Sequence, residues 1–450
     1  MFKSVRQNCK VTPFQISSIY VLFIGLIGCL PIPTQTNTSE NTPSTEKPFT
    51  TAERVYEANI KTIQLYPAST SGDTKQYFEA PIVPLGFSQN LRLEFDQLSR
   101  SPENYTAKII HCNATWEVSN LMDIEYMNEV NNFPLRDYQL SFNTKVSYLH
   151  YTFTLPKLKV SGNYILLIYR NGDENDRIFT RRFVLYESKV AISPEVRFSS
   201  NPALKDKNQQ IDFKISYADY EIRNPRDEIS IVIRQNNRWN RIISDLKPVY
   251  IRDLDKVLEY NHFNAENNFA GLNEYRRFDI KSTRFLGFRV AGISKNDTSY
   301  TAELALDQSR TNDTYFAQQD YNGNYIIGHY ETGRGTLESD YIKVRFRLKS
   351  LPIENAVVSV VGDFSSWAAG ENLMQYTADK QLYTADIWLK QGEYNYMYAV
   401  AEGQVLNESI FEGSHQAAEN RYDILVYHRP IGARADKVIG YKNFSSIAPR

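Results

Sequence analysis

Cysteine is scarce: Cys9, Cys29 and Cys112 are all the chain has in 450 residues. So few cannot build a disulfide framework, and stability must come from packed apolar cores. Histidine is sparse too. His111, His150, His262, His329, His415 and His428 are scattered, none pairs at metal-ligand spacing, and there is no CxxC or HExxH. The sequence therefore gives no basis for a zinc site. No GxSxG elbow, P-loop or GxGxxG occurs, so the common nucleophile and phosphate motifs are missing. A formal net charge of -1 removes the electrostatic footprint of a nucleic-acid partner. No catalytic centre, cofactor or metal is expected. Scattered carboxylates leave a glycosidase pair as the residual enzymatic reading, because separation in space is invisible in sequence.

What is present points to β-structure. There are 31 Tyr and 24 Phe, and aromatic, Ile and Thr positions alternate with polar ones, a pattern suited to a half-buried pleated surface. The length suggests two to four domains.

The first 28 residues read as an address. Lys3, Arg6 and Lys10 form a basic region, and a mainly apolar stretch follows from Phe14 to Gly28. That stretch has signal-peptide length, and a bilayer span takes roughly 20 apolar residues. It ends in Leu26-Ile27-Gly28-Cys29, which resembles a bacterial lipobox, with Cys29 as the lipidated residue. Residues 29–52 then read as a flexible tether rich in Thr, Ser, Pro and Asn. In bacterial lipoproteins that this leader resembles, an acidic run after the cysteine marks surface export; none follows Cys29, so the resemblance implies the periplasmic face of the outer membrane. Once the leader is cleaved and Cys29 lipidated, Cys112 stands alone and reads as a small buried apolar residue.

Strand patterns fill the rest. Leu91, Leu93 and Phe95 alternate with polar residues, as do Leu149, Tyr151, Phe153 and Leu155. Tyr164 to Tyr169 is apolar on both faces, and Ser161-Gly162-Asn163 before it is a turn signal. Only Asn120 to Val130 looks helical, with Leu121, Ile124 and Met127 three apart. Arg181 and Arg182, adjacent on a strand, must point to opposite faces, so at most one can enter a core. The expected fold class is all-β: tandem antiparallel β-sandwich domains, the C-terminal one early-set or immunoglobulin-like. The expected boundaries are 53–187 for the first sandwich, 188–338 for a middle β-rich domain and 339–450 for the last sandwich. Residues 261–273 are expected to be irregular, and 312–335 to be a long hairpin or a mobile loop.

Gly362-Asp363-Phe364-Ser365-Ser366-Trp367 resembles the strand-turn motif of glycogen-binding sandwiches. An indole face there suits a pyranose, and the same residue also closes the end of a sandwich. Packing is the preferred role for Trp367, with sugar contact as its alternative. Trp388, inside an apolar strand, reads as core.

Three ordered blocks resemble the type IX secretion system plug family of Bacteroidota. The first is His111-Cys112-Asn113-Ala114-Thr115-Trp116 with Ser119-Asn120-Leu121. The second runs from Ser141-Phe142-Asn143-Thr144 through Tyr148-Leu149-His150-Tyr151 and Leu155-Pro156 to Ser161-Gly162-Asn163-Tyr164 and Arg181-Arg182-Phe183. The third holds Lys390-Gln391-Gly392-Glu393-Tyr394-Asn395-Tyr396, Glu412-Gly413-Ser414-His415, Glu419-Asn420, Tyr422 to Arg429 and Ile439-Gly440-Tyr441. His428, Ala435 and Ala417-Ala418 depart from the pattern. The resemblance implies a non-enzymatic plug that closes the periplasmic side of an outer-membrane translocon barrel, held near it by an N-terminal lipid. A glycan-binding envelope lipoprotein using its C-terminal sandwich is the alternative. The resemblance marks no residue as a partner contact. Trp116 and His111 read as framework, fixing a helix-like excursion, with the imidazole satisfying backbone groups.

Overall fold

The computed structural model describes residues 47–68, 74–368, 370–403 and 405–446. The expected leader, Cys29 and the tether up to residue 46 lie outside the described residues. From Lys47 onward the chain is one compact unit.

Alternation in the sequence becomes strands whose inward side chains lose all contact with water. On Leu91–Gln97, Leu93 and Phe95 are fully buried, and on Leu149–Thr154 so is Tyr151. Each such side chain contributes about 1.5–3 kcal/mol relative to an exposed one. With Ile60–Pro67 and Asp137–Leu140 they form sheet I. Sheet II runs Arg54–Val55, Asp173–Tyr186, Gly162–Arg170, Tyr105–Cys112, Phe133–Pro134, and Ile82–Pro84 adds in parallel to Asp173–Tyr186. The core between these two sheets completes a first sandwich.

Sheet II is apolar on its other face as well. Ile165, Val184, Cys112 and Trp116 point away from the first core and meet Val232, Leu425, Tyr427 and Val438. Those four belong to sheet III, which orders Ile242–Ser244, Ile229–Gln235, Arg421–His428 and Lys437–Ser445. Its alternate residues, Ile231, Ile233, Ile424 and Val426, face Ile211, Phe213 and Leu258 of sheet IV. Sheet IV contains Ala191–Phe198, Asn208–Ser216, Val257–Tyr260, Tyr250–Arg252 and Asn268–Ala270, and with sheet III it makes the second sandwich. Sheets I to IV are therefore a stack with an apolar layer in every gap. This is why Tyr164 to Tyr169 reads as apolar on both faces: both are covered.

A third sandwich lies between residues 276 and 412. Sheet V centres on the long strand Gly392–Glu402, flanked by Arg276–Asp279, Tyr325–Ile327, Val357–Val361 and Val405–Asn407. Sheet VI orders Val290–Lys295, Tyr300–Leu304, Tyr341–Lys349, Leu382–Lys390 and Gln375–Thr377, with Asp307–Gln308 beside Tyr341–Lys349. Tyr394, Tyr396 and Tyr398, two apart and so on one face of their strand, all enter its core.

The all-β expectation is met, and five details are corrected. Three strand pairs are parallel, namely Ile82–Pro84, Tyr300–Leu304 and Asp307–Gln308 with their partners. The boundary expected at 338/339 cuts through the third sandwich, since Tyr300–Leu304 pairs with Tyr341–Lys349. Past residue 420 the chain leaves that sandwich, and Arg421–His428 pairs with Ile229–Gln235 to complete sheet III. The helix expected over 120–130 shrinks to one turn, Asp123–Tyr126, with Ile124 on the surface. There the Asn131 amide bonds both Ile109 N and Ile109 O, at 2.8 and 2.7 Å, and holds the excursion to the sheet edge as a strand would. Trp388 lies on the outer face of its strand, because Tyr383, Ala385, Ile387 and Leu389 take the inward positions.

Candidate functional site

A cleft of about 420 Å³ opens where the three sandwiches meet, and Trp367 lines it. The first sandwich supplies Glu53, Tyr66, Arg181 and Arg182. The second supplies Arg234, Arg238 and Trp239, and the third Asn324, Asp363 and Trp367.

Trp367 sits after a tight turn with φ +55°. Its ring is covered by the Arg238 guanidinium 3.9 Å from the ring centre and by the edge of Tyr275. Gly323 backs it so closely that a Cβ there would lie 2.4 Å from Trp367 Cζ2, which only glycine tolerates. Arg238 in turn pairs with Glu408, both fully buried, and Arg241 Nη1 reaches the same carboxylate at 3.1 Å. Burial would raise the Glu408 carboxyl, and the two guanidiniums hold it below the usual range.

Across the cleft a second stack alternates cation and indole. Arg182 lies 4.2 Å over Trp116, Trp116 meets Trp239 edge-on at 4.6 Å, and Arg234 lies 4.2 Å over Trp239. Arg234 makes a bidentate pair with Asp423 at 2.9 Å. Burial lowers Arg182 to about 10, and its Nε donates to Thr51 O. Arg181 is buried and lies 5.6 Å over the Phe179 ring, whereas Arg182 is half-buried over Trp116 on the other face of the strand. Burial, with Glu53 adding to it and Arg181 opposing, pushes Asp363 up to about 7. The guanidiniums act here as stacked wedges, with Arg234, Arg238 and Arg241 ion-paired, and among the described residues the cleft brings together no nucleophile and general base.

A second joint links the first and third sandwiches. Asp96, fully buried, accepts from Lys390 Nζ and Tyr341 Oη, each at 2.7 Å, and His150 Nδ1 lies 2.7 Å from its other oxygen. Lys390 also sits 4.1 Å over the Tyr148 ring and donates to Thr336 O. Burial would raise Asp96, and Lys390 and His150 keep it low. Nearby, the Asp340 carboxylate accepts from Lys145 N and Val146 N at 2.7 and 3.0 Å. Within the third sandwich, Glu412 accepts from Arg276 and Arg310, and Asp307 accepts from Arg276, Tyr396 and Tyr398.

His111 Nδ1 lies 2.8 Å from Ser119 Oγ, and the ring also meets the Ser161 backbone. Burial lowers it to about 4, so it is neutral at ordinary pH. Gly162, expected in a turn, begins a strand, and a Cβ there would lie 2.2 Å from His111 Nε2. Cys112 is buried, its thiol pushed up to about 12, and is no nucleophile. His428, one of the departures from the family pattern, is buried between Tyr220 Oη and Glu228.

Residues 60–187 match the family described as type 9 secretion system plug protein 1st domain. A crystal structure of a hypothetical protein from Parabacteroides merdae superposes with a TM-score of 0.81 at 31% identity, covering 88% of this chain and 99% of that one. The chain belongs to the type 9 secretion system plug family. Membership implies association with the secretion machinery and the cell envelope, and the family is not a known enzyme family. Two further structures, a marsupial T cell receptor and a Salmonella alpha-2-macroglobulin, reach TM-scores of only 0.12 and 0.16 at 7% and 9% identity. They cover 82% and 88% of this chain and 98% and 33% of their own, and carry no argument at that similarity. Proteins of curated function give no match. Among the described residues no helix is long and apolar enough to cross a membrane.

In this plug-family chain the sequence blocks fall on the joints. Tyr148, His150 and Lys390 build the buried pair between the first and third sandwiches. Asn163 accepts from Tyr427 Oη at 2.9 Å across the first and second. Asn420 donates to Gly271 O and accepts from Asn236, binding sheet III to the link toward the third. Sequence reasoning missed Arg238, Trp239 and Glu408. Arg238 and Trp239 sit in the Arg- and Asn-rich run from Arg234 to Arg241, which reads as a polar hairpin until its partners are known, and Glu408 carries no local signal.

Proposed function

We propose that this protein is a non-enzymatic plug that closes the periplasmic side of the outer-membrane pore of the type IX translocon. Cys29, as a lipidated N-terminus, would hold it at the periplasmic face, and the segment to residue 52 would be its tether. The observation that carries the reading is the set of buried charge and aromatic joints fusing three sandwiches. A stopper must resist deformation under load, and a body without free hinges does so. Its partner is the translocon barrel, met through a broad surface, since a specific interface buries about 1,200–2,000 Å² and a seal could need more. Tethering makes re-closure effectively intramolecular. The glycan-binding alternative draws on Trp367, whose ring is already covered by Arg238, Tyr275 and Gly323.

Deleting the gene should leave the outer membrane more permeable to a normally excluded dye or large antibiotic, with complementation restoring the barrier. Affinity purification from native membranes should recover the translocon. Unchanged permeability with no translocon recovered would overturn the proposal. For the anchor, Cys29→Ser should abolish the lipid mass on the mature N-terminus and release the protein from the membrane fraction. A native chain that begins elsewhere, unmodified, would remove the anchor and leave the plug reading standing.

A further inference from the structure

The chain crosses between the second and third sandwiches twice, outward after Asn268–Ala270 and back before Arg421–His428. Glu274 stands on the outward crossing and Glu419 on the return. Asp320 comes from the irregular stretch before Tyr325–Ile327. One carboxylate oxygen from each lies within 4.8 Å of the others. Among the described residues no lysine, arginine or histidine makes an ion pair with any of the three.

The carboxylates are held in place from outside the cluster. Glu274 Oε1 accepts from Tyr315 Oη at 2.5 Å, and Asp320 accepts from Tyr275 N at 2.5 Å and Asn322 N at 2.7 Å. Glu419 Oε1 accepts from Ser445 Oγ at 3.3 Å. The decisive atom is Glu274 Oε2. Glu274 is 2% exposed, and this oxygen is buried with no donor at all. A buried carboxylate oxygen without a donor is costly unless a proton or a cation joins it.

We propose that Glu274, Asp320 and Glu419 bind one hard divalent cation, calcium in preference to magnesium, which clasps the two crossings together. All three ligand atoms are carboxylate oxygens, which selects a hard cation. Calcium takes several carboxylate oxygens at about 2.3–2.6 Å in a flexible shell, whereas magnesium demands a near-ideal octahedron and keeps most of its waters, so three carboxylates from separate segments suit calcium better. Water completes the shell. The expected affinity is on the order of 10⁻⁴–10⁻³ M, that of extracellular calcium modules. The sequence hides the site because its ligands lie far apart in the chain, outside any motif spacing.

The test uses the full mature chain, stripped with chelator. Terbium should give tyrosine-sensitised emission, since Tyr315 bonds Glu274 directly, and calcium should displace it at lower concentration than magnesium. Calcium should also raise the melting temperature. Asp320→Asn and Glu419→Gln should each weaken terbium and calcium by about tenfold or more, because affinity follows ligand charge. Asp320→Asn should also melt higher than the wild type in chelator, since it removes repulsion, and this shows that the variant folds. No sensitised emission, or emission and a calcium shift that persist in the double variant, would overturn the site and leave a shared proton as the occupant.

Discussion

Asp363 is a carboxyl the fold holds at a cost. An unfolded aspartate titrates near about 3.9, while in the cleft burial brings Asp363 to about 7. Between those values the folded state keeps a proton that the unfolded chain has released, so stability falls as pH rises through the window and stays lower above it. Asp363→Asn should therefore stabilise the protein by on the order of 2 kcal/mol at pH 8, allowing for the water that reaches a half-buried group, and by much less at pH 4.5. Urea melts at the two pH values check this. Equal gains at both would show that the carboxyl is already ionised in the folded state. At this scale the sequence was a partial guide. Gly362 to Trp367 marked the turn, but which group covers the indole depends on Arg238, a residue of another sandwich.

The joint around Asp96 and Lys390 carries the clearest consequence among the elements. Leu91–Gln97 presents Asp96 and Leu382–Lys390 ends on Lys390, so one contact fixes two sandwiches. Replacing one partner of a buried pair strands the other as an uncompensated charge. Lys390→Met should cost about 3–5 kcal/mol, and adding Asp96→Asn should recover more than about 1 kcal/mol of it. Thermal melts of the two single variants and the double variant make the cycle, and strict additivity would mean that the two side chains do not interact. Strands were the most legible elements, since alternation alone placed Leu91–Gln97 and Leu149–Thr154. The excursion at 120–130 was not legible as drawn. Apolar residues three apart suggested a helix, whereas Met127 and Leu121 are spent on the first core and Asn131 on the sheet edge.

For the molecule as a whole, the second apolar face of sheet II sets the limits of independence. A fragment of residues 47–187 would uncover Ile165, Val184, Cys112 and Trp116, all normally closed by sheet III. Such a patch makes a fragment sticky. The prediction is that it self-associates in analytical ultracentrifugation while the full chain from Lys47 stays monomeric. A monomeric fragment with a sharp melt would show that the first sandwich is self-sufficient. The sandwich class and the family were legible because local patterns and ordered blocks encode them. The division into sandwiches was not, because alternation shows that a strand exists and is silent on its neighbour.

That division bears on how the chain reaches this state. Ile229–Gln235 has its partner in Arg421–His428, and the whole third sandwich is made in between. A chain emerging from its N-terminus can close the first sandwich at once, but sheet III must wait for the last strands. Until then the apolar edge of Ile229–Gln235 is open, a template for pairing with other chains. Closing such distant contacts is slow, since loop-closure entropy comes before the contacts that offset it. Assembly therefore runs from both ends towards the middle of the fold, and a chain cut short near residue 420 keeps two finished sandwiches around an unfinished one.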